Sequence, residues 1–219
     1  MSKLVIFGNR EMAELVHFYF SKDTEYKVSA FSVDGAFIKE STFLGLPVVP
    51  FEELAKHYPP EENKAFVALS YAKLNVLRRK KYFEMKAAGY ELASYICSKA
   101  SWWHENSIGD NTLILENVII QPFVSIGNNV FIWSGNHIGH HTQIKDHTFI
   151  TSQVVIGGGA VIGEECFVGI NATIRDHITI GDRCIIGASA IVMKDTEPDG
   201  LYVASSTKRS ATPASKIDL

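Results

Sequence analysis

Residues 108–192 read IGDNTLILENVIIQPFVSIGNNVFIWSGNHIGHHTQIKDHTFITSQVVIGGGAVIGEECFVGINATIRDHITIGDRCIIGASAIV. Every sixth residue from the start is a β-branched aliphatic: Ile108, Ile114, Ile120, Ile126, Ile132, Ile138, Ile144, Ile150, Ile156, Ile162, Val168, Ile174, Ile180, Ile186 and Val192. An α-helix cannot keep a period of six on one face, because its turn of about 3.6 residues does not divide it. A second set stands two positions earlier and is small or medium: Thr112, Val118, Val124, Val130, Asn136, Thr142, Thr148, Val154, Ala160, Cys166, Ala172, Ile178, Cys184 and Ala190.

A short fixed period of this kind specifies a solenoid whose repeats share one core by stacking. Three hexapeptides close one triangular coil, so the ladder makes about five coils spaced roughly 4.8 Å apart, as paired strands are. Residues 18 apart then stack. Cys166 and Cys184 become stacked core thiols, expected reduced although the distance permits a disulfide. Phe131, Phe149 and Phe167 form an aromatic column, read as a packing face such as a subunit contact. Glycine follows the aliphatic at Gly109, Gly127, Gly139, Gly157, Gly163, Gly169, Gly181 and Gly187, the place read as needing a tight turn.

The N-terminal third has a different grammar. Lys3–Gly8 reads as a buried strand ending in a turn, Glu11–Phe20 as a helix and Tyr26–Phe31 as a second strand leading to Asp34. Lys64–Leu69 reads as a third strand, Lys73–Ala88 as a helix stopped by Gly89, and Tyr90–Cys97 as a fourth strand. This is an α/β pattern with a small parallel sheet. The chain divides into an α/β nucleotide-binding domain at 1–97, an all-β parallel β-helix at 98–195 and a tail at 196–219. Ligands of such sheets bind beyond the carboxyl ends of the strands, which singles out Gly8, Asn9, Arg10, Asp34, Ser70 and Tyr71. Gly8 is the only glycine of a GxGxxG frame that survives here.

With 219 residues, 46% hydrophobic and 21% charged, the chain can bury a core. A net charge of −3 offers no electrostatic footprint for nucleic acid or an acidic membrane. No apolar run reaches the ~18–20 residues of a membrane span, no signal-peptide pattern opens the sequence, and the three cysteines form no CxxC pair. The expected location is cytoplasmic.

The stretch WSGNHIGHHTQIKDHTFITSQVVIGGGAVIGEECFVGINATIRDHITIGDRCIIGASAIVMKD (Trp133–Asp195) resembles the left-handed β-helix sugar acyltransferases. More narrowly it is similar to the nucleotide-sugar N-acetyltransferases of bacillosamine and perosamine synthesis and to the sialic-acid-pathway O-acyltransferases. The resemblance implies a homotrimer with active sites between subunits, acetyl-CoA as co-substrate and a nucleotide-linked amino sugar as acceptor. A 4-amino-4,6-dideoxy sugar for surface glycan (O-antigen or capsule) synthesis is its commonest form. It further implies His140 as the base, with His141 beside it where relatives carry an acidic or polar residue. Phe149, Gly158, Ile170, Ala188 and Lys208 are the implied CoA contacts. Position 149 is a histidine in some relatives, and the family's closing Gly-x-Pro-Ala-Lys is Ala204-Ser-Ser-Thr-Lys208 here.

The chemistry stands on the residues as well. Acyl transfer from a thioester needs a neutral amine, a base for its proton and donors for the oxyanion. An imidazole suits the base role at neutral pH. Gly158 lies 18 residues after His140, so the next coil offers no side chain there and leaves room for a substrate. His137 and His147 fall at turns and are expected to be exposed or at subunit contacts. The alternatives are O-acylation of a sugar hydroxyl, a non-catalytic solenoid and a zinc protein like the γ-class carbonic anhydrases. The last is disfavoured, and no metal is expected, because neighbouring side chains of one strand diverge and His137, His140 and His141 cannot converge on one ion.

Overall fold

The computed structural model describes residues 2–217. The N-terminal part runs β1 (Lys3–Phe7), α1 (Glu11–Asp23), β2 (Lys27–Val33), β3 (Thr42–Phe43), β4 (Leu46–Pro50), the single turn α2 (Leu54–His57), β5 (Asn63–Val67) and α3 (Val76–Ala87). The sheet order is β3-β4-β2-β1-β5, parallel throughout except for the β3–β4 hairpin. β1 and β5 are buried runs of apolar residues, as strands covered on both faces must be.

The fold departs from the sequence reading in three places. β3 and β4 were not legible there, since a five-residue strand holding Pro47 and Pro50 does not look like part of a sheet. The parallel partner of β2 on that side is therefore β4. Tyr90–Cys97 is not a fourth strand of this sheet: after a bridge from Ala65 to Leu92, Tyr95–Ile96 pairs with Leu113–Ile114 and starts the β-helix. The basic helix starts at Val76 because Lys73, Leu74 and Asn75 all take positive φ, 53°, 51° and 66°, which a right-handed helix cannot contain.

From Tyr95 onward the chain winds as a left-handed parallel β-helix of three sheets, each rung a two-residue strand. One face stacks Tyr95, Leu113, Phe131, Phe149, Phe167, Ile185 and Leu201. The second stacks Ile119, His137, Val155, Thr173 and Ile191, and the third Ser107, Ser125, Gln143, Val161 and Thr179. Every pair is 18 residues apart except the last of the first face, Ile185–Leu201, which is 16 apart, and the aliphatic and small sets fill one continuous core. Cys166 and Cys184 are buried free thiols, and burial pushes the Cys166 thiol up to about 12.

The corners correct the role assigned to glycine. Left-handed φ recurs every sixth residue from Asn111 to Ser189, and the residue there is Asn, His, Gln, Glu, Arg, Phe or Ser as well as Gly135 and Gly159. The glycines that follow the aliphatic ladder do not take positive φ. They are glycine because the next coil's backbone is too close: a Cβ on Gly157 would lie 2.4 Å from the Asp176 amide nitrogen.

The phenylalanine column is a contact within the chain, not between subunits. The N-terminal part packs its own core against it, with Phe66 stacked on Phe131 at 5.7 Å and Tyr71 against Phe149 and Phe167. Arg78 of α3 is wholly buried above Phe131, 4.4 Å from the ring centroid, and its guanidinium donates to the carbonyls of Ser70, Asn129, His147 and Thr148. On the other side the Tyr19 hydroxyl of α1 donates to Glu116, which also accepts a hydrogen bond from the Ser134 hydroxyl. The N-terminal part thus covers the first face and reaches its two adjoining corners in part, at Glu116 on one side and at Asn129 and His147 on the other, and leaves the corner between the second and third faces uncovered.

Candidate active site

That uncovered corner carries His140. It lies between the rungs His137–Ile138 and Gln143–Ile144 and is exposed. Its backbone N–H donates to Oε1 of Gln121, one coil earlier, at 2.9 Å. Its ring lies flat over the next coil, where a Cβ at Gly158 would sit 2.7 Å from both Cε1 and Nε2. The room above His140 is therefore taken by the imidazole itself, and substrate must approach from outside the coil rather than from the slot above it. Gly158 is glycine because any side chain would displace the ring.

His141 meets His140, with Nδ1 3.0 Å from Nδ1 and the rings nearly perpendicular. The expectation that adjacent side chains diverge holds for a strand, but these two residues form a turn with His141 at φ 60°. Phe123, stacked one coil below, supports the His141 ring at 4.7 Å. Gln121 and Phe123 escaped the sequence reading, although both stand 18 residues before members of the His140 corner and the repeat arithmetic reaches them.

His147 is not exposed. It is 2% accessible, packed between Tyr82 and Phe83, and burial holds its pKa down at about 4. Asn111 pairs with both backbone groups of Val67: its Oδ1 accepts from the Val67 N–H at 2.7 Å and its Nδ2 donates to the Val67 carbonyl at 3.4 Å. That fixes the amide of Asn129, which accepts from Asn111 and donates to Nδ1 of His147 at 3.0 Å. The neutral ring then carries its proton on Nε2. Asp146, His147 and Glu164 bring possible ligand atoms within 4.8 Å of one another, but this hydrogen-bond column makes the imidazole a donor there, which disfavours a metal.

Of the residues implied to touch CoA, Gly158 lies against the His140 ring, and Ile170 and Ala188 stack as exposed residues on the corner between the first and second faces. Lys208 is exposed in the extended tail. Phe149 is excluded from that role: at 1% exposure it is sealed beneath Tyr71 and between Phe131 and Phe167, so no ligand reaches it.

Gly8, Asp34 and Ser70 come together along the carboxyl edge of the N-terminal sheet, just beyond β1, β2 and β5. Gly8 has φ 130° and donates its N–H to Ser32, and a Cβ there would lie 2.9 Å from the Ala68 carbonyl oxygen. Asn9 and Arg10 lead into α1, with Arg10 exposed at its N-cap and making no side-chain cap. Glu11 and Glu14 occupy the first turn, which already favours the positive end of the helix and opposes a phosphate there. Asp34 is paired with Lys81 at 2.5 Å, whose ammonium lies over the Phe51 and Phe7 rings, a partner not foreseen from sequence. Ser70 gives its carbonyl to Arg78, and Tyr71 is half exposed on the phenylalanine column.

A family profile described as bacterial transferase hexapeptide (six repeats) matches residues 107–139, 123–158 and 159–194. A search of curated proteins finds no match. Among solved structures, the chain is similar to a perosamine N-acetyltransferase from Caulobacter crescentus in complex with CoA and GDP-perosamine. The TM-score is 0.81 at 24% identity, over 92% of this chain and 93% of that one. It is also similar to the acetyltransferase domain of PglB from Neisseria gonorrhoeae (TM-score 0.76, 21% identity, 91% and 95% covered). WeeI from Acinetobacter baumannii gives a TM-score of 0.75 at 17% identity, with 92% and 96% covered. At these identities the likeness speaks for the fold over nearly the whole chain. It agrees with the resemblance read from Trp133–Asp195. No helix among the described residues is long and apolar enough to cross a membrane.

Proposed function

We propose that the protein is an acetyl-CoA-dependent N-acetyltransferase acting on the amine of a nucleotide-linked sugar, with His140 as the general base. The observation that carries the reading is an exposed imidazole, held by Gln121 and His141 and lying over the side-chain-free Gly157–Gly159 turn, at the corner between the second and third faces. The amine nitrogen attacks the thioester carbonyl carbon and its proton passes to Nε2 of His140. The carbon–sulfur bond breaks, and the same proton then neutralises the departing CoA thiolate. Holding amine and thioester together supplies much of the acceleration. The similar Caulobacter enzyme binds CoA and GDP-perosamine, and the PglB domain binds acetyl-CoA, which support the choice of substrates. A 4-amino-4,6-dideoxy sugar destined for a surface glycan is the acceptor we favour.

The layout also supports a homotrimer with shared sites. The nucleotide candidates Gly8, Asn9, Arg10, Asp34 and Ser70 belong to the part docked on the phenylalanine face, while His140 is on the opposite corner of the same triangular prism. One substrate molecule spanning both sets needs the N-terminal part of one chain and the corner of another.

The test is an acceptor screen with acetyl-CoA, following release of free thiol, using dTDP-, UDP- and GDP-linked amino sugars beside their hydroxy counterparts. Turnover with an amino sugar is expected, and His140→Asn should lower kcat by about 10²–10⁴. Acetylation of the hydroxy sugars alone would move the assignment to O-acylation. Near-normal turnover by His140→Asn would remove His140 from the base role.

A further inference from the structure

The corner that carries His140 holds a second imidazole. A hydrogen bond between two ring nitrogens uses one proton and one lone pair, so at 3.0 Å one of the two Nδ1 atoms is protonated and the other is not. If His141 were the donor, neutral His140 would carry its own proton on Nε2 and could not accept one from an amine. If His140 is the donor, its Nε2 lone pair is free.

We infer that His141 is a positioning residue that accepts the Nδ1–H of His140 and so fixes His140 in the tautomer with a bare Nε2. The inference rests on the reading of His140 as the base. His141 is set for this task from three sides. Its left-handed φ of 60° turns the ring toward His140, its backbone N–H donates to the Pro122 carbonyl at 3.2 Å, and the Phe123 ring lies against it. With its Nδ1 lone pair engaged, neutral His141 keeps its own proton on Nε2. His140 is tied independently through its backbone to Gln121. An uncharged acceptor selects the tautomer without the charge that would hold the imidazolium once formed, so the accepted proton remains free to pass to the leaving thiolate.

The test uses imidazole ¹⁵N spectra of the full chain together with kinetics. In the wild type, His140 should show a protonated Nδ1 and an unprotonated Nε2, and His141 the reverse. His141→Gly suits the left-handed corner and so preserves the coil. It should shift His140 toward the Nε2–H form and lower kcat about tenfold or more, with KM for both substrates changed less than about twofold. His141→Asp puts an acceptor back within reach and should recover most of the lost kcat. A wild-type His140 protonated on Nε2 would overturn the inference. So would a His141→Gly protein with unchanged tautomer and kcat, the result expected if His141 only shapes the turn. The spectra need no acceptor, so failure of the acetylation screen would count against the proposed function and leave this inference to be judged by the tautomers.

Discussion

His147 shows how a single side chain can report on the packing around it. Its ordinary pKa of 6.5 is held down at about 4 by burial against Tyr82 and Phe83. The unfolded chain takes up a proton on this residue as pH falls below about 6.5, while the folded chain refuses it until about 4. Stability contributed by the neutral ring is therefore lost as pH falls through that window, by about 2 kcal/mol between pH 7 and pH 5. His147→Asn extends the Asn111–Asn129 column with a residue suited to left-handed φ. Urea unfolding at the two pH values should show this step in the wild type and its loss in the variant, which should cost only about 1 kcal/mol at pH 7. A step of equal size in both proteins would assign the acid sensitivity elsewhere.

At the scale of elements, the docking of α3 depends on Arg78, which satisfies four backbone carbonyls while its plane covers Phe131. Burial lowers its pKa and the nearby Glu165 carboxylate opposes that shift. Arg78→Leu leaves those carbonyls buried without donors and should destabilise the protein by about 3 kcal/mol or more, read from the denaturation midpoint. A loss below about 1 kcal/mol would mean the aromatic packing alone holds the two parts together. The ladder that sets the coils was legible in the sequence because a hexad repeats its requirement at every step, from Ile108 to Val192. Arg78, by contrast, looked like one more cation in a basic helix, and His147 like one more turn residue. Their burial depends on which face of the solenoid the N-terminal part covers, and no local pattern encodes that. The same applies to β4, a proline-bounded strand stabilised by β2 on one side and β3 on the other.

At the scale of the whole molecule, one triangular coil keeps two candidate sites apart. The sheet edge at Gly8, Asp34 and Ser70 lies with the covered face, and His140 lies at the corner that face does not reach. The sequence separated the two sites by residue number but not by side, because sidedness arises only when α1 and α3 close over Phe131, Phe149 and Phe167. The division of labour between chains proposed above rests on this separation, and it is the central claim. Its most direct measurement is complementation between two inactive variants. One is His140→Asn; the other carries Asn9→Asp and Arg10→Asp, which add negative charge at the exposed turn beside Gly8. Unfolded together, refolded as mixed oligomers and assayed with acetyl-CoA and the best amino-sugar acceptor, they should recover about a quarter of wild-type turnover, since random mixing joins one intact half of each in that share of sites. Mixed oligomers as inactive as either variant alone would contradict the account.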